Sequence, residues 1–176
     1  MIVNGRIILR EKQPDDAMED YAWETDPELA KLDAAPVMTI PYDVYLTDYT
    51  YELDHQYRNS RQFSVDTKDG KHIGNCSYYN IDRFRNETEL GIMIGDRDYW
   101  NKGYGEEIIK TLVQYIFEQT RIKRVYLKTL DWNLRAQACF KKCGFKQYGR
   151  LDRDGFSFIL MEIHQKAWQK RQKGEE

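Results

Sequence analysis

The chain has few of the features that mark several classes of protein. Its three cysteines, Cys76, Cys139 and Cys143, are odd in number and form no C-x-x-C pair, so we expect no disulfide framework and no metal site. Reduced thiols that serve as small hydrophobic side chains are the ordinary interpretation. Basic and acidic residues nearly balance at a net charge of −2, which argues against nucleic-acid binding. No stretch reaches about 18 apolar residues and no signal peptide is evident, which predicts a cytoplasmic protein without a membrane partner.

What is present favours one globular domain. The 176 residues are 41% hydrophobic, with no repeat and no linker, and the mean hydropathy is −0.79. That length suits one domain better than two. We therefore expect a single domain over residues 1–176, whose polar tail at 165–176 frays or forms a short helix.

Periodicity and turn signals predict the elements of this domain. Strands are predicted at 6–10, 61–66, 71–81, 88–94, 124–130, 145–150 and 156–163. Helices are predicted from 14 to about 24, from 43 to 57, from 105 to 119 and from 133 to 142. Consecutive strands followed by helix crossovers indicate an α+β domain with a mixed, mostly antiparallel sheet of about seven strands, flanked by helices.

The segment WNKGYGEE, residues 100–107, places two glycines at the predicted start of a helix, where glycine is a poor helix former. A strand, a glycine loop and a helix N-terminus together make an anion site, because the first helical N–H groups have no intrahelical partner. Gly103 and Gly105 would let a pyrophosphate approach the backbone, and Lys102 would add a charge. Ordinary turn chemistry is the alternative. The Walker and dinucleotide motifs are both absent.

Several motifs in the correct order resemble those of the GNAT acetyltransferases. They are ELGIMIGDRDYWNKGYGEEIIKTLVQYIF from Glu89, then Asn-Leu-Arg-Ala from Asn133, then Lys-Cys-Gly-Phe from Lys142. The opening IILREKQPDD is also similar, so the resemblance covers nearly the whole chain. The most similar branch contains the ribosomal-protein N-terminal and spermidine acetyltransferases.

This resemblance implies acetyl-CoA as cosubstrate and a set of residues that hold it. The strand before the loop would bulge and splay, so that backbone groups of Ile92, Met93 and Ile94 hold the pantetheine arm. Asn133 would bond the cofactor, although a simple helix cap is the alternative. Phe140 would line the thioester end. The pyrophosphate would lie on the amides of Trp100, Asn101, Lys102, Gly103, Tyr104, Gly105 and Glu106.

The implied reaction is transfer of an acetyl group to a primary amine by direct attack in a ternary complex. An amine must lose a proton to attack. We expect Glu89 to accept it, although a solvent-facing strand residue is the alternative. A backbone N–H near Met93 would stabilise the oxyanion.

The main departure from the family is Phe140, which stands where many relatives have a tyrosine as general acid. Two routes to a protonated leaving thiolate are open: water or the ammonium itself donates the proton, or Tyr78, Tyr79 or Tyr126 replaces the tyrosine. A domain that binds CoA as a sensor or interaction module and catalyses poorly is the third alternative.

Acidic and aromatic residues of the N-terminal helices and the last hairpin would favour a cationic acceptor. Core packing and solvated acids are the alternative explanation. A protein N-terminal amine, a polyamine or another small amine would each fit, and homodimers are common in the family. The residues are Asp33, Tyr42, Asp43, Tyr45, Tyr49, Glu52, Asp152 and Asp154.

Overall fold

An eight-stranded mixed sheet is the frame of the computed structural model, which describes residues 1–55 and 58–174. The strands are β1 (Ile2–Asn4), β2 (Ile7–Arg10), β3 (Arg61–Thr67), β4 (His72–Asp82), β5 (Glu87–Ile94), β6 (Arg124–Leu130), β7 (Lys146–Arg153) and β8 (Phe156–His164). The helices are α1 (Ala17–Glu24), α2 (Pro27–Leu32), α3 (Tyr42–Asp54), α4 (Tyr104–Gln119), α5 (Leu134–Lys142) and α6 (Gln165–Gln172). Short 3₁₀ turns lie at Pro14–Asp16 and Arg97–Tyr99.

The strand order is β1-β2-β3-β4-β5-β6-β8-β7, and every neighbouring pair is antiparallel except β5 and β6. That parallel pair is short, because only Glu87–Glu89 pairs with β6. The rest of β5 stays paired with β4 as far as Ile94. Neighbouring strands can form backbone hydrogen bonds only while they lie about 4.7–4.9 Å apart. The sheet therefore opens between the end of β5 and β6.

Helix α4 packs across the sheet through one apolar face. Ile108, Leu112, Val113 and Ile116 are fully buried, in the same cluster as Leu9 of β2. This is the 3.6-residue spacing from which the helix was predicted. Each side chain of this kind contributes about 1.5–3 kcal/mol when buried. The packing holds the N-terminus of α4 beside the opening in the sheet.

Helices α1 and α3 attach to the sheet through a buried polar centre around Asp20. Its carboxylate accepts hydrogen bonds from Lys12 Nζ at 2.6 Å, Tyr49 Oη at 2.9 Å and Asn75 Nδ2 at 2.6 Å. His72 Nε2 lies 3.1 Å from the same carboxylate. Buried charges persist only when paired in this way, so the centre fixes α1 against β4.

The predicted mixed, mostly antiparallel sheet is confirmed, with one strand more than expected. The missed strand is β1, which is only three residues long. Residues 165–172 form α6, whose Trp168 is buried in the core. The helix predicted over 43–57 ends at Asp54, and its last predicted residues, 56 and 57, lie outside the described part, as do 175 and 176. Within residues 1–55 and 58–174 no helix is long and apolar enough to cross a bilayer.

Candidate functional site

The connection from β5 to α4 spans residues 95–103 and includes the 3₁₀ turn Arg97–Tyr99. We call residues 100–105, the end of this connection and the first two residues of α4, the glycine loop. Asn101 and Gly103 have positive φ angles of 58° and 85°. Glycine adopts this left-handed conformation without the steric cost that a Cβ imposes. Gly103 is also the N-cap of α4 and brings no side chain to cap it. The N–H groups of the first turn are therefore left to an external acceptor.

Two contacts hold the glycine loop in place. The Trp100 indole N–H donates to the Ile94 carbonyl at 2.7 Å, which ties the loop to the end of β5. On the other side, Arg6 donates to the Lys102 carbonyl at 3.0 Å and to Glu107 Oε1 at 2.8 Å. The β1–β2 hairpin thus braces the loop. This anchorage of Arg6 across about one hundred residues was not predicted.

A cavity of about 420 Å³ lies between the glycine loop, β5 and α5. Ten of the twelve predicted cofactor residues line it. Lys102 and Tyr104 do not; the Tyr104 ring instead packs on Tyr99 and under the Arg6 guanidinium. The ten are Ile92, Met93, Ile94, Trp100, Asn101, Gly103, Gly105, Glu106, Asn133 and Phe140.

Along β5, the backbone N–H and C=O groups of successive residues point alternately toward β4 and toward the opening. The Ile94 carbonyl points away from β4, because it accepts from Trp100, whereas the Gly95 N–H donates to Ile73 on β4 at 3.0 Å. Strand alternation then turns the groups of Ile92 toward the opening and those of Met93 toward β4. The N–H of Ile92 therefore faces the opening, whereas that of Met93 faces β4.

The expected bulge is displaced from the middle of β5. The ladder between β4 and β5 is regular from Glu89 to Ile94. Just past the strand, the N–H groups of Gly95 and Asp96 both donate to the Ile73 carbonyl. Two donors on one acceptor are typical of a bulge. The strand therefore ends in a bend that leads into the glycine loop.

Helix α5 forms the opposite wall. Asn133 Oδ1 accepts from the Ala136 N–H at 3.1 Å, so Asn133 is the N-cap of α5. Its amide nitrogen remains the group that can donate to a cofactor. Phe140 is buried against Phe145, with ring centroids 5.9 Å apart, and carries no proton to donate.

Sequence reasoning missed three side chains of this wall. Arg135 lies over the Trp100 ring at 4.0 Å, and both Cys139 and Lys142 line the cavity. Residues 135, 139 and 142 are spaced at three and four positions, which places them on one helix face. That spacing is the signal that could have found them.

These walls suit an anionic, elongated cofactor. The first turn of α4 carries about half a positive charge. Arg135 and Lys142 add cationic side chains, and Gly105 leaves backbone uncovered by any Cβ. The predicted acetyl-CoA fits this donor set: pyrophosphate at the glycine loop, the pantetheine arm along β5.

Glu89 lies on the face of the sheet opposite Leu90, next to the opening. It is buried, and its carboxylate accepts from Lys128 Nζ at 2.9 Å and from Asn80 Nδ2 at 3.0 Å. The alternative of a solvent-facing strand residue is therefore wrong. Glu89 is not among the residues that line the cavity; it belongs to a charged group with Lys128 and Asp33.

Asp33, the C-cap of α2, connects that group to the cavity, which it lines. Desolvation by the surrounding residues raises the pKa of Asp33, whereas the charge of Lys128 lowers it. Burial, followed by the charges of Glu89 and Asp33, raises the pKa of Tyr79. We call Asp33, Glu89 and Lys128 the charged cluster; formally it carries one net negative charge.

The three tyrosines proposed to replace the general acid lie elsewhere. Tyr78 packs between Phe63 and Tyr115 on the α4 side of the sheet. Tyr79 and Tyr126 flank Glu89 in the ladder. Within the described part of the chain, none of the three belongs to the cavity wall.

Of the eight acidic and aromatic acceptor residues, Asp33 alone lines the cavity among the described residues. Tyr45 and Tyr49 are buried and bond Glu24 and Asp20, which confirms core packing for these two. At the last hairpin, Asp152 accepts from Ser157 and Asp154 from Arg153.

Comparison with known proteins adds an independent line of support. A protein from Bacillus licheniformis, the uncharacterized N-acetyltransferase p20, is 25% identical over 148 residues, 83% of this chain and 82% of that protein. A spermine/spermidine N(1)-acetyltransferase of Bacillus subtilis is 29% identical over 85 residues, 48% of this chain and 56% of that protein. The match to such polyamine enzymes therefore spans little more than half of their length.

Solved structures share the fold over almost the whole chain. The spermidine N-acetyltransferase of Vibrio cholerae, in complex with CoA and spermine, superposes with a TM-score of 0.83. It covers 94% of this chain and 99% of its own at 19% identity. The aminoglycoside acetyltransferase AAC(6')-Ib, in complex with coenzyme A, gives 0.79 at 16% identity, with coverages of 94% and 99%.

The model of the acetyltransferase (GNAT) domain matches residues 6–146. That range contains β5, the glycine loop, α4 and α5, and with them every residue that lines the cavity. The chain belongs to the GNAT acetyltransferase family.

Proposed function

We propose that the protein is an N-acetyltransferase that moves an acetyl group from acetyl-CoA to the primary amine of a small cationic molecule. The observation that carries this proposal is the opening between β5 and β6, which joins the 420 Å³ cavity at the first turn of α4. Acetyl-CoA would supply the activated acetyl group. The protein would supply the cradle, the oxyanion donor and the proton acceptor.

Binding rests on backbone groups. The amides of the glycine loop and the first turn of α4 hold the pyrophosphate, with Arg135 and Lys142 as cations on the rim. The N–H of Ile92, on the open side of β5, stabilises the oxyanion. Such a donor is worth about 10²–10³ in rate when it is preorganised.

Acceptance of the amine rests on the charged cluster. Asp33 lies at the cavity wall and attracts the cationic amine. Glu89 does not line the cavity, so it receives the proton through an intervening water. Lys128 and Asn80 hold its carboxylate in a single orientation, at 2.9 and 3.0 Å.

Phe140 supplies no proton, so the leaving thiolate is protonated by water or by the ammonium group of the attacking amine. A thiol of pKa about 8.5 leaves more readily than an alkoxide and depends less on a general acid. We therefore expect turnover to survive the loss of the usual tyrosine. Tyr78, Tyr79 and Tyr126 do not line the cavity, which supports this route over replacement by one of these three tyrosines.

The test is release of free CoA thiol from acetyl-CoA in the presence of single amines. The panel holds spermine, spermidine, kanamycin and a peptide with a free N-terminus, because two relatives are named for polyamines and a neighbour structure contains kanamycin. We expect release above blank with at least one cationic amine, and mass spectrometry should show the acetylated product. Binding of acetyl-CoA without release for any amine would refute catalysis and leave a CoA-binding module.

A further inference from the structure

Two thiols beside the cavity have no role in the acetyl-transfer reaction. Cys139 lies on α5, Cys143 is the C-cap of that helix four residues later, and both contact the start of α4. Cys143 is 1% exposed, whereas Cys139 is partly exposed and lines the cavity. The third cysteine, Cys76, is buried in the sheet at 2% exposure and serves as an internal reference.

Both sulfur atoms touch the cofactor cradle. Cys143 Sγ lies 3.8 Å from the Glu106 carbonyl, in the first turn of α4. A Cβ built on Gly105 would lie 3.4 Å from Cys139 Sγ. The packing of α5 against the start of α4 therefore depends on these two side chains.

The two thiols differ in reactivity. A hydrogen bond from Cys143 lowers the pKa of Cys139, and the charge of Lys142 acts in the same direction, although burial opposes both. The same hydrogen bond, together with burial, raises the pKa of Cys143. Burial also raises the pKa of Cys76. Because the thiolate is the reactive form, Cys139 is the most reactive of the three.

We propose that Cys139 and Cys143 form an oxidation-sensitive dithiol that controls the affinity of the cofactor cradle, an inference that rests on the proposed acetyl-CoA site. Hydrogen peroxide reaches Cys139 through the cavity. The Cys139 thiolate attacks the peroxide, takes one oxygen as a sulfenic acid and releases hydroxide, which becomes water on protonation. Cys143 sulfur then displaces that oxygen as water, which forms the Cys139–Cys143 disulfide.

The bond would distort the cradle. Side chains four apart on a helix have Cβ atoms about 5–6 Å apart, whereas a disulfide brings them to about 3.5–4.5 Å. The last turn of α5 must therefore tighten, and it pulls away from Gly105 and Glu106. The pyrophosphate amides move with these residues, so the oxidised protein should bind acetyl-CoA more weakly.

The test follows both the sulfur chemistry and the affinity. Reduced protein is treated with hydrogen peroxide, with and without saturating acetyl-CoA, and is examined by intact mass and peptide mapping. We expect the loss of two hydrogen atoms at Cys139–Cys143, slower oxidation with acetyl-CoA present, and acetyl-CoA affinity about 10-fold lower by calorimetry, a change of about 1.4 kcal/mol. Dithiothreitol should restore the affinity.

Three variants separate the roles. Cys143→Ser should stop at a sulfenic acid that dimedone traps at residue 139, and Cys139→Ser should form neither product. Cys76→Ser should behave as the parent protein. Equal oxidation of the Cys139→Ser variant, or a disulfide that leaves the affinity unchanged, would overturn the proposal. Failure of the reduced parent to bind acetyl-CoA would instead refute the proposed function, because the disulfide is scored independently by mass.

Discussion

The glycine loop provides the sharpest test of the cofactor site. Gly103 has φ +85°, and a Cβ there would meet only the flexible end of Arg6, at 3.3 Å. A left-handed conformation costs a residue with a Cβ about 1–2 kcal/mol, and more for a β-branched one. The Gly103→Val variant should therefore relax toward negative φ and turn the amides of the loop away from the cavity.

The loss of affinity can be bounded. A hydrogen bond to a charged group contributes about 1.5–3 kcal/mol. Loss of one such bond to the pyrophosphate corresponds to an affinity for acetyl-CoA about 10- to 150-fold lower, at 1.4 kcal/mol per factor of ten. The fold should remain, because Gly103 lies on the surface loop and its new methyl groups displace no buried side chain.

Gly70 is the matched control. Its φ is +84°, almost the same as that of Gly103, and nothing lies within 4 Å of a Cβ built on it, in the β3–β4 turn. Gly70→Val should lose a similar amount of unfolding free energy in urea and keep the parent affinity. Calorimetric titration of both variants with acetyl-CoA decides the matter. Equal affinity in both would show that the glycine loop is not the pyrophosphate site.

The remaining predictions concern the charged cluster and the buried centre of α1. Glu89→Gln should lower kcat by about 100-fold or more, since general-base catalysis contributes about 10²–10⁴, and leave acetyl-CoA affinity unchanged; an unaltered kcat would remove Glu89 from the mechanism. Asp33→Asn should raise the KM of the cationic amine more than it lowers kcat, measured by thiol release; a fall in kcat alone would make Asp33 the base instead. Burial lowers the pKa of His72, but the hydrogen bond and charge of Asp20 outweigh it and raise the pKa above 6.5. This stabilisation is complete below pH 6.5 and is lost as pH rises through the folded pKa, so unfolding free energy in urea should fall over that range, and fall less in His72→Gln; parallel pH curves would refute the assignment.

Local pattern predicted most of the elements. The spacing of apolar residues predicted the buried face of α4. Residues that tolerate positive φ predicted the turns at Gly70 and Asp154-Gly155. The strand β1 was missed because three residues carry no recognisable alternation. The tail is polar in composition, yet Trp168 is buried in the core, and Gln165 and Arg171 donate hydrogen bonds to the Phe117 and Lys142 carbonyls. A single buried residue in the helix leaves no periodic signal.

The charged cluster illustrates what pattern does not reveal. Glu89 and Lys128 are 39 residues apart and meet only because β5 and β6 pair at their first residues. Arg6 and Glu107 are 101 residues apart and meet because the β1–β2 hairpin packs on α4. No local rule connects residues at such separations.

The sequence by itself determined the helices α1, α3, α4 and α5, the positive-φ loop and the motif order, since helix hydrogen bonds and turn conformations depend on neighbours a few residues away. Only the tertiary structure decided that the backbone N–H of Met93 points toward β4, that Cys139 lines the cavity, and that Glu89 is buried beside Lys128. Those outcomes depend on how remote elements pack, because the rotation of a helix or strand about its axis is set by the surface it buries.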